Sequence, residues 1–94
     1  YQAAYSGFEG RTPDGATLAA WLRERGVTEV EVVGIATDHC VRATALDAKA
    51  EGFATTVLLD LTAGVAEGTT AAALEQLRTA SIVTTGSPVV DQTA

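Results

Sequence analysis

The sequence predicts an α/β fold built on a parallel sheet with alternating helices. Three observations carry that expectation. Apolar, β-branched runs of strand length lie at about 29–35 and 55–61, and a shorter one lies at 81–85. The segments between them are Ala-rich or helix-patterned and too long for hairpin turns. Strands joined by helices of about ten residues or more lie parallel, with right-handed crossovers.

The elements follow in order. Residues 1–15 hold Gly7, Gly10, Pro13 and Gly15 and read as loop. Leu18, Trp21, Leu22 and Arg25 have i, i+3, i+4, i+7 spacing, which predicts a helix over about 15–25 with Asp14 as N-cap and Gly26 at C′. Leu18, Trp21 and Leu22 are its expected core side chains. The strand over about 29–35 alternates through Glu29, Val30, Glu31 and Val32 and then turns continuously apolar. Its entry, with Glu29 and Glu31, is expected in solvent and its end buried. A second helix spans about 39–51 and closes at Gly52; Ala43, Ala45, Ala48 and Ala50 give it high propensity and a thin profile for packing on a sheet. Lys49 belongs to its surface. Thr55–Leu61 form the next strand, and Thr62-Ala63-Gly64 read as a loop. Thr69 or Thr70 caps a helix carrying Leu74 and Leu77 that ends near Thr79. Ser81–Thr85 form the last strand, and residues 86–94 read as an exposed tail.

Ninety-four residues fit at most one small domain. Apolar residues at 47% and charged residues at 19% mark a globular rather than a disordered chain. A net charge of −6, with five Arg and one Lys scattered along the chain, argues against nucleic acid and anionic membrane surfaces, which need clustered cations. No apolar run reaches the roughly 18 residues of a spanning helix. A single cysteine builds no internal disulfide framework, so a cytoplasmic setting fits best. The chain opens at Tyr1 and contains no methionine, which is expected of a fragment or a processed product.

The chemistry concentrates where the first strand stops. Gly34-Ile35-Ala36-Thr37-Asp38-His39-Cys40-Val41 brings the chain's only cysteine and only histidine to a strand-to-helix turn. In parallel sheets, ligands bind beyond the carboxyl ends of the strands. At a helix N-terminus, unpaired N–H groups and the macrodipole favour a thiolate, so Cys40 is a candidate nucleophile. The plainer alternative is a small buried hydrophobe.

This block, with Ala4-Tyr5-Ser6-Gly7-Phe8-Glu9-Gly10 before it and Asp60-Leu61-Thr62-Ala63-Gly64-Val65 after it, closely resembles the bacterial nicotinamidase/pyrazinamidases, which are isochorismatase-like cysteine hydrolases. The resemblance covers about residues 1–85, as the C-terminal half of a family member. It implies the C-terminal half of a three-layer αβα, Rossmann-like parallel sheet, so residues 1–94 form a single partial domain. It implies Cys40 as the nucleophile that attacks a carboxamide, releases ammonia and leaves a thioester for water to hydrolyse. Backbone N–H groups of Ala36 and Cys40 match the oxyanion hole. The family has a cis peptide where Ile35 meets Ala36. Tyr5, Ile35 and His39 match the walls of a pocket for a flat pyridine ring. Left to the residues alone, His39 is as well placed as a surface residue at a helix start, and Tyr5 as a cover for the core. Asp38 is read as a helix N-cap ahead of any catalytic role.

The resemblance also implies an Asp and a Lys that activate the cysteine, and a divalent metal (Zn, Fe or Mn) held by an Asp and several His. This chain has one His, and its one Lys is Lys49, so these partners are expected upstream, in a missing N-terminal half. The implied substrates are nicotinamide and pyrazinamide, in NAD salvage. Alternatives are another amide, a ureido compound or isochorismate as substrate, or a non-catalytic truncated fragment. The isolated 94 residues are expected to be inactive, with an apolar strand edge and one sheet face exposed.

Overall fold

The two long apolar runs become adjacent parallel strands in the computed structural model, which describes residues 6–90. In chain order the elements are α1 (Leu18–Glu24), β1 (Glu29–Ile35), α2 (Arg42–Ala50), β2 (Ala54–Gly64), α3 (Glu67–Thr79), β3 (Val83–Thr85) and β4 (Val89–Val90). A 3-10 turn at Gly7–Glu9 precedes α1, and a π turn at Thr37–Val41 joins β1 to α2. β2 is central, with β1 on one side and β3 and β4 on the other, all parallel. Helices α2 and α3 make the long returns that parallel pairing demands.

The core lies between these two helices and the sheet. Val32, Val57 and Leu59 meet Val41, Ala45, Leu77 and Ile82, with Leu46 and Leu74 packed at its margin. Ala45 and Ala48 are fully buried, so the thin face of α2 seats closely against the strands. Gly64 is a second close approach: a Cβ there would overlap the side chain of buried Thr70 on α3. Glu29, Glu31 and Lys49 are exposed, as their positions led one to expect.

Several local expectations are corrected. The N-cap of α1 is Thr17, whose hydroxyl accepts the Ala20 N–H at 3.1 Å; Asp14 instead accepts the Thr12 hydroxyl within the preceding turn. Trp21 is 37% exposed, because small Ala19 occupies the buried position of this short helix. The Arg25 guanidinium lies 3.7 Å from the Trp21 ring centroid and covers it instead. Gly26 has φ +74° just past the helix end, the left-handed geometry that a C′ glycine supplies.

The end of β1 is open, not buried: Ile35 is 76% exposed and Val33 about half exposed. Among the described residues β1 pairs only with β2, and the core packs against the face that carries Val32. Residues 62–64 are not a loop. They continue β2, because Thr62 and Ala63 find partners in Gly34 and Ile35, and Ala63 and Gly64 find Val89 and Val90. Between Val32 and Gly34 the register slips: β1 advances two residues while β2 advances five. That bulge re-aims the carboxyl end of β2. Residues 89–90 are therefore a strand rather than tail, and the Ser87 N–H on their approach donates to Asp60 at 3.0 Å. Thr69 and Thr70 lie inside α3, whose N-cap residue is Ala66 and carries no side-chain cap of its own.

Candidate active site

The site grows from the way β1 stops. Ile35–Ala36 is a cis peptide, and Ala36 stays extended before the chain coils into the π turn. The Ala36 carbonyl accepts two N–H groups, from His39 at 3.1 Å and from Val41 at 3.0 Å. These bonds bracket Cys40 and fold its residue back over the end of the strand. Cys40 is a free, half-buried thiol. It stands in a π turn ahead of α2 rather than in the first turn of an α-helix, since α2 itself begins at Arg42. The extra residue per turn is what alternating apolar and polar side chains could not announce. Such turns occur often at functional sites.

Two buried side chains beside Cys40 anchor the turn. The Thr37 hydroxyl, fully buried, donates to the Thr62 hydroxyl at 2.8 Å, which donates to the Leu59 carbonyl at 2.9 Å. This chain of hydroxyls crosses from the end of β1 to the bulge of β2. Asp38 is also buried, and its carboxylate is spent on the start of α3. It accepts the Val65 N–H at 3.0 Å, the Ala66 N–H at 3.3 Å and the Thr69 hydroxyl at 2.5 Å. Asp38 is thus a cap, but of α3 and not of its own helix. It supplies from a distance the anionic acceptor that Ala66 lacks. The Arg42 Nε–H closes the turn from the far side by donating to the Asp38 carbonyl at 3.1 Å.

Burial by itself would raise the Asp38 carboxyl. The Thr69 hydroxyl, the Val65 N–H and the N–H groups of Asp38 and Ala66 outweigh it and hold the group at about 2. A folded value below the unfolded one stabilises the native state at pH values above the unfolded pKa, about 3.9, and that contribution is lost as the pH falls from there toward about 2. In urea unfolding, the midpoint difference between the native protein and Asp38→Asn is therefore expected to shrink as the pH is lowered across this window. A difference that stays constant from neutral pH down to the acid limit would refute the assignment.

Of the residues singled out from sequence, Ile35, Ala36, His39 and Cys40 stand around this one turn. The Ile35 side chain lies on the open sheet face. His39 is about half exposed, with Nε2 3.8 Å from Asp38 Oδ2, and it lines a shallow groove with Arg42, Thr69 and Gln76. Tyr5 lies outside the described residues. No group of His, Cys, Asp or Glu that could hold a metal occurs among the described residues. The Asp38 carboxylate beside His39 already accepts three donors, so these described residues do not fit a metal centre. The roles of Thr37, Thr62 and Thr69 were missed. A signal existed for the first pair: each hydroxyl follows an apolar strand run, and parallel strands bring their carboxyl ends together.

The profile of the isochorismatase domain matches residues 3–88. The chain belongs to the isochorismatase family. Within that family it is 66% identical over 82 residues to a nicotinamidase/pyrazinamidase of Mycobacterium tuberculosis, an alignment spanning 87% of this chain and 44% of the relative. A zinc complex of a pyrazinamidase from Pyrococcus horikoshii superposes with a TM-score of 0.79 at 42% identity, over 90% of this chain and 45% of that one. A nicotinate complex from L. infantum gives 0.76 at 35% identity, over 94% and 46%. The chain thus spans less than half the length of these relatives. Its parallel α/β sheet is that of the isochorismatase family. No helix among the described residues is long and apolar enough to cross a membrane.

Proposed function

We propose that the intact protein is a nicotinamidase/pyrazinamidase, a hydrolase that converts nicotinamide to nicotinic acid and ammonia. The reading is carried by the 66% identity to a nicotinamidase/pyrazinamidase across the segment that contains the Cys40 turn. Cys40 is the nucleophile. Its thiolate adds to the carboxamide carbon, and the negative charge that gathers on oxygen is met by the N–H groups of Ala36 and Cys40. The tetrahedral species collapses with cleavage of the C–N bond, and the nitrogen leaves as ammonia after taking up a proton. Water then cleaves the thioester, returning the thiol and releasing the carboxylic acid. Ile35 and His39 border the ring, joined by Tyr5.

The bulge of β2 and the double acceptance at the Ala36 carbonyl support this reading, because they hold the turn by bonds within the chain itself. Donors fixed in advance need no reorganisation as charge develops. Residues 6–90 supply the nucleophile and its cradle; the activating Asp and Lys, and the ligands of any divalent metal, come from outside them. Residues 1–94 form one part of a hydrolase domain, acting on small molecules in the cytoplasm of a bacterium, in NAD salvage.

Ammonia release separates this reading from the other substrate classes. Purified intact protein is expected to release ammonia from nicotinamide and from pyrazinamide, and to leave isochorismate and ureido compounds unchanged. Turnover of a ureido compound or of isochorismate in preference to nicotinamide would replace the substrate assignment.

A further inference from the structure

We propose that Asp38 and Thr69 are positioning residues for the reaction, whose contact sets where the Cys40 thiol stands relative to the Ala36 N–H. The inference rests on the reading of Cys40 as nucleophile and goes one step beyond it. Cys40 lies two residues past Asp38 in a five-residue turn. The turn is held at three buried points. Thr37 is tied to Thr62, Val41 is packed in the core, and Asp38 is bonded to Val65, Ala66 and Thr69. Two of these points fix the turn to β2 and to the helix–sheet core. Asp38 alone fixes it by side-chain hydrogen bonds to the start of α3.

Geometry distinguishes positioning from simple capping. An N-cap residue ordinarily precedes the helix it caps, and its loss costs about 1 kcal/mol of stability wherever the helix lies. Here the capping carboxylate comes from 27 residues away, from inside the turn that presents the thiol. A shift of the first turn of α3 is therefore transmitted to Asp38, and from Asp38 to Cys40. Thr69 carries the shortest of the three bonds, and its own side of α3 is exposed. Thr69 can accordingly be changed without opening the core. His39, Nε2 3.8 Å from Asp38 Oδ2, and Arg42, bonded to the Asp38 carbonyl, share the turn and move with it.

Displacing a reactive group by about 1 Å costs on the order of 10²-fold in rate. Asp38→Asn places an amide NH₂ where the carboxylate met N–H donors, so its kcat for nicotinamide is expected to fall about 10²-fold, with KM changed by no more than about twofold. Thr69→Val removes the bond to Asp38, together with the longer one to the Ala66 carbonyl at 3.3 Å, at constant shape and is expected to lower kcat about tenfold, while Thr69→Ser keeps the hydroxyl and restores it. Cys40→Ala is assayed beside them. The inference is overturned if Thr69→Val keeps the native kcat, if its loss is carried by KM instead, or if Thr69→Ser is as impaired as Thr69→Val. Should Asp38→Asn fail to fold, the two Thr69 variants decide. Activity persisting in Cys40→Ala would instead strike the nucleophile assignment, so the two failures are told apart.

Discussion

Cys40→Ala in the intact protein is expected to lower ammonia release from nicotinamide by at least about 10³-fold, because removing a nucleophile removes the whole covalent route and not one contact within it. The structure makes this a clean test. Cys40 is half-buried and its turn is held by neighbours, Thr37 and Val41 in the interior and Asp38 through its bonds to the start of α3, so truncating one thiol leaves the frame standing. The stability cost of such a change away from the core is about 1 kcal/mol or less. Cys40→Ser is expected to be nearly as inactive: it keeps a hydrogen-bonding group in the same place, but a hydroxyl is a far weaker nucleophile than a thiolate. With the native protein, brief exposure to substrate followed by acid quench and mass measurement is expected to show an acyl adduct on the peptide containing Cys40. Cys40→Ala retaining a tenth or so of the native rate would place the nucleophile elsewhere.

The parts of this fold that were legible in the sequence are those set by local pattern. The bounds of β1 followed from the run between Glu29 and Ile35, and Gly26 and Gly52 marked helix ends because each takes a positive φ that other residues resist. The cis peptide at Ile35–Ala36 was an implication of family resemblance, not of any pattern in the residues. What stayed hidden depends on distant partners. Thr62-Ala63-Gly64 looks like a turn by composition, and it becomes strand only because β1 and β4 offer it hydrogen bonds on both sides. Asp38 has the residue type and position of a local cap, yet its partners lie in Val65, Ala66 and Thr69. Trp21 has the spacing of a core residue, and it fails to be one because Ala19 takes the buried position on a helix only seven residues long. The Cys40 turn divides along the same line. Its place at the carboxyl end of a strand was readable, whereas its π geometry is imposed by the bonds that converge on Ala36.

Leu77→Ala is expected to be the most damaging truncation in the core. Leu77 is fully buried on α3 and shares with Val57 and Leu59 of β2 a cluster that holds seven buried side chains among the described residues. Its carbonyl also accepts the Ile82 N–H at 3.0 Å, where the chain leaves α3 toward β3. The helix side chain and the exit from the helix are therefore fixed at one residue. A buried Leu→Ala change costs about 2–5 kcal/mol through lost transfer energy and the cavity left behind. Small domains have about 5–15 kcal/mol in all, so the loss is a large share. Leu74, one turn earlier and only partly buried, is expected to cost clearly less when truncated in the same way. Urea unfolding checks both: the midpoint of Leu77→Ala falls by more than that of Leu74→Ala, with little change in slope. The same variant separates stability from positioning. Leu77 lies about two turns along α3 from Thr69 and shares its core cluster with Val41, while Asp38 grips only the first turn, so activity per folded molecule is expected to fall clearly less than in Asp38→Asn. A loss of kcat as large as that of Asp38→Asn, in samples shown to be folded, would mean that the whole of α3 and not its first turn sets the thiol in place.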